Sequence, residues 1–278
     1  MTIKLVGVVA PAGRLDPVIA EKVRLIAGDM DDGPELLFHP QCFLSDGHFA
    51  GNDDARAGAF LDVANDPNFD AVWIARGGYG SCRIAERVLS RLNPAARDKV
   101  YLGYSDAGFL LAGLYAQGYH VAHGPMPADL GRPGGDVAVQ RALDWLNTGD
   151  AITLEPSLEP GVPAAAFNMV VLSHLLGTPL EPDLTGHVLM LEEVSEHLYR
   201  IDRSMFHLTS HPALRQVAGI RLGRVGDILP NEPDFGRSEE DIVRDWCARG
   251  AIPYLGRADI GHDIANKIVP FGGIPQHM

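Results

Sequence analysis

In the first half of the chain, short β-rich apolar runs alternate with stretches whose apolar positions recur at helical spacing. The runs are LVGVVAP, ELLFHP, AVWIAR, VYLGYS and HVAHGP. Between them lie PVIAEKVRLIAG, the segment from Ser81 to Leu92, DAGFLLAGLYAQG and VQRALDWLNTG, the last closed by Gly149 as a C-cap. Because a parallel neighbour needs a crossover long enough to hold a helix, this alternation predicts a parallel, doubly wound sheet.

After Gly149 the alternation breaks at ITLEPSLEPGVPAAA, where Pro156, Pro160 and Pro163 predict a linker over 151–163. The pattern resumes near Ala164 with an apolar helix over Phe167 to Leu176, ended by Gly177. Strand-like pieces HVLMLEEV, AGIRLGRV and PYLGRADI follow, with the acidic helix SEEDIVRDWCARG between the last two, opened by Ser238 as N-cap. The expected fold is α/β: a flavodoxin-like parallel-sheet domain over 1–150, then a smaller α/β or β-rich domain over 164–278.

Composition narrows the function. Hydrophobic residues make up 46% and charged residues 21%, as in soluble globular chains with ample core. With 23 Lys and Arg against 36 Asp and Glu, the net charge of −13 excludes a broad nucleic-acid surface, so an anionic ligand must be met by local cations. Cys42, Cys82 and Cys247 are an odd set without metal-type spacing, which predicts a reducing compartment. The apolar run at the start is too short for a convincing signal peptide, and none reaches the roughly 20 residues that span a bilayer. The expectation is a cytoplasmic protein with no membrane partner.

Ligands of open parallel sheets bind at the carboxyl ends of strands. Two segments end strands that way. Arg76-Gly77-Gly78-Tyr79-Gly80 follows AVWIA, and its glycines fit either a tight turn or a close approach of bare backbone N–H groups to a ligand. Gly103-Tyr104-Ser105-Asp106 joins a strand to a helix. Ser105 there is either an N-cap or a nucleophile on an elbow, with the Asp106 N–H open to a developing oxyanion. A serine nucleophile needs a base and an orienting carboxylate. His262, in a loop after PYLGRADI, is a candidate base, and Glu192 and Glu193 end an apolar strand with opposite side-chain directions. His120 and His123 would face opposite sides of a strand with no acidic partner at ligand spacing, so no metal is expected. Cys82 lacks a base motif and reads as a buried structural thiol.

At these residues the chain resembles the LD-carboxypeptidase family, which includes muramoyltetrapeptide carboxypeptidases and microcin C immunity peptidases. The resemblance spans nearly the whole chain: VVAPAG, ARGGYGSCRI, LGYSDAG, HGPM, FNMVVLSHLLGTP, LEEVSEHLYRIDR and GHDIANKIVPFG, in that order. It implies two domains with the site in the cleft between them, and a catalytic triad of Ser105, Glu192 and His262. It further implies oxyanion donors from Asp106 and Gly78, no cofactor, and cleavage before a terminal D-alanine in a small peptide or muropeptide. A homodimer is the family's precedent. A carboxypeptidase must also bind a free carboxylate, for which Arg76, Arg83, Arg200 and Arg203 are candidates. Where the family often has glycine after the late histidine, this chain has Asp263, a carboxylate able to alter the base. The rival expectations are hydrolysis of an acyl-nucleotide conjugate and a catalytically silent peptide-binding protein.

Overall fold

The structure is a computed structural model that describes residues 3–273. Leu5–Val9 (β1), Pro17–Gly28 (α1), Glu35–Phe38 (β2), Asp53–Ala64 (α2) and Ala71–Ile74 (β3) begin the alternation. Ser81–Leu89 (α3), Val100–Gly103 (β4), Gly108–Ala116 (α4), His120–His123 (β5) and Asp136–Thr148 (α5) complete it. Strands β2-β1-β3-β4-β5 lie in that order, all parallel, which is the flavodoxin-like arrangement. Helices cover both faces, so β3 is buried at all four positions and reads as a continuous apolar run.

The second half contains Ala164–Asn168 (β6), Met169–Leu175 (α6), Val188–Val194 (β7), Leu198–Ser210 (α7), Gly219–Gly226 (β8), Glu239–Gly250 (α8) and Tyr254–Arg257 (β9). Its sheet, β6-β7-β8-β9, is parallel throughout, so this half is α/β rather than β-rich. Sequence periodicity placed a helix from Phe167, whereas the helix starts at Met169 and the alanines before it form β6. The boundary is set by Asn168, whose side chain accepts the Val171 N–H at 3.1 Å and caps the helix. An all-buried strand lacks the alternation that would have marked it.

A last short strand, Val269–Pro270 (β10), returns to the first sheet and pairs antiparallel with β5. The proline-rich stretch is likewise tied down. Leu154 bridges to Ile268, and the Glu155 carboxylate accepts the Asp259 N–H at 3.0 Å. One core runs from Phe60 and Tyr101 through Leu110 and Leu111 of α4 to Phe167, Leu172, Leu191 and Met205 in the second half. The two sheets thus share apolar contact along α4 and α6, which fixes the loops between them. No helix among the described residues is long and apolar enough to cross a membrane.

Candidate active site

At the carboxyl end of β4 the chain turns sharply into α4, and Ser105 occupies the turn with φ of 60°. That left-handed backbone is uncommon for a residue with a side chain and costs on the order of 1 kcal/mol, a strain found where a hydroxyl is held at the top of a sheet. The N–H of Asp106 belongs to the first helical turn, where backbone donors have no intrahelical acceptor. The Asp106 side chain turns away from the cleft and accepts the N–H groups of Gly80 at 3.3 Å and Ser81 at 2.8 Å. Burial raises this carboxyl, and the two amides offset part of that cost. The contact clasps the glycine loop after β3 against the serine turn.

Within that loop Gly78 has φ of 116°, a conformation that favours glycine. Gly77 meets the serine more closely. A Cβ there would lie 2.9 Å from Ser105 Oγ, so bare backbone is what lets the two segments touch.

His262 and Glu192 arrive from the second half. The His262 Nε2 is 2.9 Å from Ser105 Oγ, and its Nδ1 is 2.5 Å from Glu192 Oε2. A carboxylate can only accept, so Nδ1 carries the proton and Nε2 is left as acceptor for the serine hydroxyl. Burial would lower the His262 pKa, yet the adjacent Glu192 charge outweighs it and the net shift is upward. Glu192 is fully buried near the end of β7, where the pairing with β8 shifts register between Leu191 and Glu193. Glu193 points the other way and receives Asn168 Nδ2 at 2.6 Å and Val170 N at 3.0 Å. Its burial pushes the carboxyl up to about 7.

The serine and imidazole open on a cavity of about 440 Å³, lined also by Asp16, Arg76, Gly77, Gly78, Met126 and Arg132. Of the arginines expected from sequence, Arg76 alone lines it. Arg83 is spent on Asp53 at 2.8 Å, Arg200 pairs with Glu196 at 3.4 Å, and Arg203 stacks over Tyr199 on α7. None of these three lines the cavity, and each is exposed and engaged with the neighbour named. Arg132 is the cation that sequence reasoning missed. Its Nε bonds Asp129 Oδ1 at 3.1 Å, and Asp129 in turn accepts Tyr104 Oη at 2.7 Å and Met126 N at 2.8 Å. The only sequence trace was an ordinary i,i+3 acid–base pair just after HGPM.

Two further elements brace the histidine. The Tyr104 ring lies 4.8 Å from the His262 ring, centre to centre. Behind it, His123 Nε2 meets Asn266 Oδ1 at 3.1 Å, and the same oxygen accepts the Gly261 N–H at 3.1 Å. Burial pushes His123 down to about 4, so it is neutral and donates to Asn266. The Asp263 carboxylate, adjacent in sequence to His262, is paired with Arg224, which also binds Asp259.

His120 is exposed while His123 is buried, and no group of three or more His, Cys, Asp or Glu that could hold a metal occurs among the described residues. Cys82 is half-buried rather than buried as expected, because it sits on the first turn of α3 beside the open glycine loop. Burial and the Asp106 charge raise its thiol, so it is no ready nucleophile.

Residues 6–124 match the LD-carboxypeptidase N-terminal domain and residues 165–274 its C-terminal domain. The chain is 30% identical to the "Probable murein peptide carboxypeptidase" of Bacillus subtilis, over 96% of this chain and 86% of that one. Its fold is similar to that of muramoyltetrapeptide carboxypeptidase from Oxalobacter formigenes, with a TM-score of 0.81, 24% identity and coverage of 96% and 93%. Microcin C7 self immunity protein MccF shares the fold with a TM-score of 0.77 at 18% identity, over 98% of this chain and 92% of that one. The chain belongs to the LD-carboxypeptidase family of serine-type peptidases.

Proposed function

We propose that this enzyme hydrolyses the bond between an L-configured centre and a terminal D-alanine in murein tetrapeptides. The observation that carries the reading is the unbroken line from Ser105 Oγ through the His262 ring to Glu192, opening on a cavity that holds arginine side chains. In this mechanism Ser105 attacks the scissile carbonyl as His262 Nε2 takes its proton. Glu192 keeps Nδ1 protonated and stabilises the imidazolium that forms. The N–H groups of Asp106 and Gly78 meet the oxyanion, where the start of α4 adds a favourable dipole. His262 then protonates the leaving amine of D-alanine, and a water activated by the same ring releases the acyl group. No step calls for a metal.

A second reading, hydrolysis of an acyl-nucleotide conjugate, draws on the likeness to the MccF fold. A nucleobase would be helped by an aromatic face in the cavity. Tyr104, the one tyrosine lining it, has its ring against His262 and its hydroxyl on Asp129, which favours the peptide. Three free cysteines support a cytoplasmic setting, hence recycling of internalised muropeptides, and the family precedent supports a homodimer.

Incubation with a tetrapeptide ending in D-alanine, its L-alanine isomer and an acyl-sulfamoyl nucleotide, followed by mass spectrometry, tests the reading. Release of alanine from the D isomer alone is expected. Cleavage of the nucleotide conjugate with the peptide left intact would overturn it, and retention of the peptide without cleavage would favour a silent binding protein.

A further inference from the structure

We infer that Arg132 is the anchor for the free carboxylate of the substrate's last residue, and so makes the enzyme a carboxypeptidase rather than an endopeptidase; this rests on the peptide reading above. The cavity holds two arginines, and they differ in how they are held. Arg76 is exposed and reaches only the Arg14 carbonyl, at 3.3 Å. Arg132 is clamped through Nε by Asp129, whose own side chain is 5% exposed and is held by Tyr104 Oη and Met126 N. Tyr104 directly precedes Ser105, so the guanidinium is referenced to the nucleophile's own backbone through two hydrogen bonds.

Asp129 occupies the Nε edge, and Arg132 has no second carboxylate partner among the described residues. Its side chain remains 39% exposed on the cavity side of the pair. A guanidinium fixed at one edge, with its remaining N–H groups open to a cleft, suits bidentate capture of a planar carboxylate. Prior immobilisation by Asp129 lowers the entropy lost when the ligand binds. In a chain of net charge −13, such a local cation is also what lets an anionic peptide end enter.

The experiment compares kcat/KM for a tetrapeptide ending in D-alanine with that for the same peptide ending in D-alaninamide. Wild-type enzyme should prefer the acid by on the order of 10²-fold, the scale of a charge pair cut at one partner. Arg132→Gln should bring the ratio close to one by depressing the acid form and sparing the amide. Arg249→Gln, whose side chain is exposed on α8 and paired with Asp245 outside the cavity lining, should leave the ratio at the wild-type value. Should Arg132→Gln fail to fold, Arg132→Lys keeps a charge beside Asp129 and loses the planar fork, and a ratio reduced by about tenfold is then expected. A wild-type ratio in whichever variant folds overturns the inference, as does equal cleavage of both peptides by wild-type enzyme. Cleavage of neither peptide by wild-type enzyme instead overturns the functional reading, and the inference with it.

Discussion

The His262 ring and the Glu192 carboxylate meet at 2.5 Å, although they lie 70 residues apart and the glutamate is entirely shielded from solvent. Glu192 Oε1 has no hydrogen-bond partner among the described residues, so the imidazole is the group there that compensates this buried carboxylate. Glu192→Gln should reduce kcat by about 10⁴, the scale seen when the orienting carboxylate of a serine triad is neutralised. It should also move the pH profile. The base works only when neutral, so kcat/KM falls as pH drops through the His262 pKa, which burial lowers and Glu192 more than restores to above 6.5. Without the negative charge the acid limb should shift to lower pH, and an unmoved limb would show that Glu192 does not set the base.

Gly77→Ala should separate activity from stability. The new methyl would lie 2.9 Å from Ser105 Oγ and 3.0 Å from its Cβ, so the Ser105 side chain must move. A misplacement near 1 Å costs about 10² in rate. Such a fall in kcat with little change in Tm is expected, and full activity would place the serine elsewhere during turnover.

Asp263→Asn should leave the acid limb within about 0.5 pH unit of wild type, since a partly exposed carboxylate already paired with arginine adds little field at a neighbour. Arg224 is that partner. A larger shift would mean that the Asp263 charge reaches the His262 ring.

His123 predicts the pH dependence of stability. Its folded-state pKa is near 4, pushed below the ordinary 6.5 by burial, so the unfolded chain binds the proton first as pH falls. The contribution is present above pH 6.5 and is lost as pH drops through 4. At about 1.4 kcal/mol per pH unit, the stability advantage of wild type over His123→Gln should narrow by about 3 kcal/mol across that window. Urea unfolding at several pH values reads this directly, and a constant difference would mean that His123 titrates alike in the folded and unfolded chain.

Much of the first sheet was legible because strands buried between helices leave apolar runs, and crossover helices keep their spacing. Ser105 stood out because a strand-to-helix joint has few positions for a hydroxyl. His262 and Glu192 did not follow from pattern: a loop histidine and a strand-end acid look ordinary until motif order ties them together. Arg132 stayed hidden, since its role depends on Asp129 and Tyr104 meeting across a fold that local spacing does not encode. Arg83, picked as a sequence neighbour of the glycine loop, pairs with Asp53 on α2, a partner that only three-dimensional packing reveals. The same blindness applies to β10, whose two residues rejoin the first sheet from the far end of the chain.

Ser105 is the proposed nucleophile, and turnover of a D-alanine-ending tetrapeptide by Ser105→Ala tests this most directly. If serine, histidine and glutamate act as a unit, kcat should drop by roughly 10⁶-fold while Tm stays close to that of wild type. Alanine release at anything near the wild-type rate would contradict it.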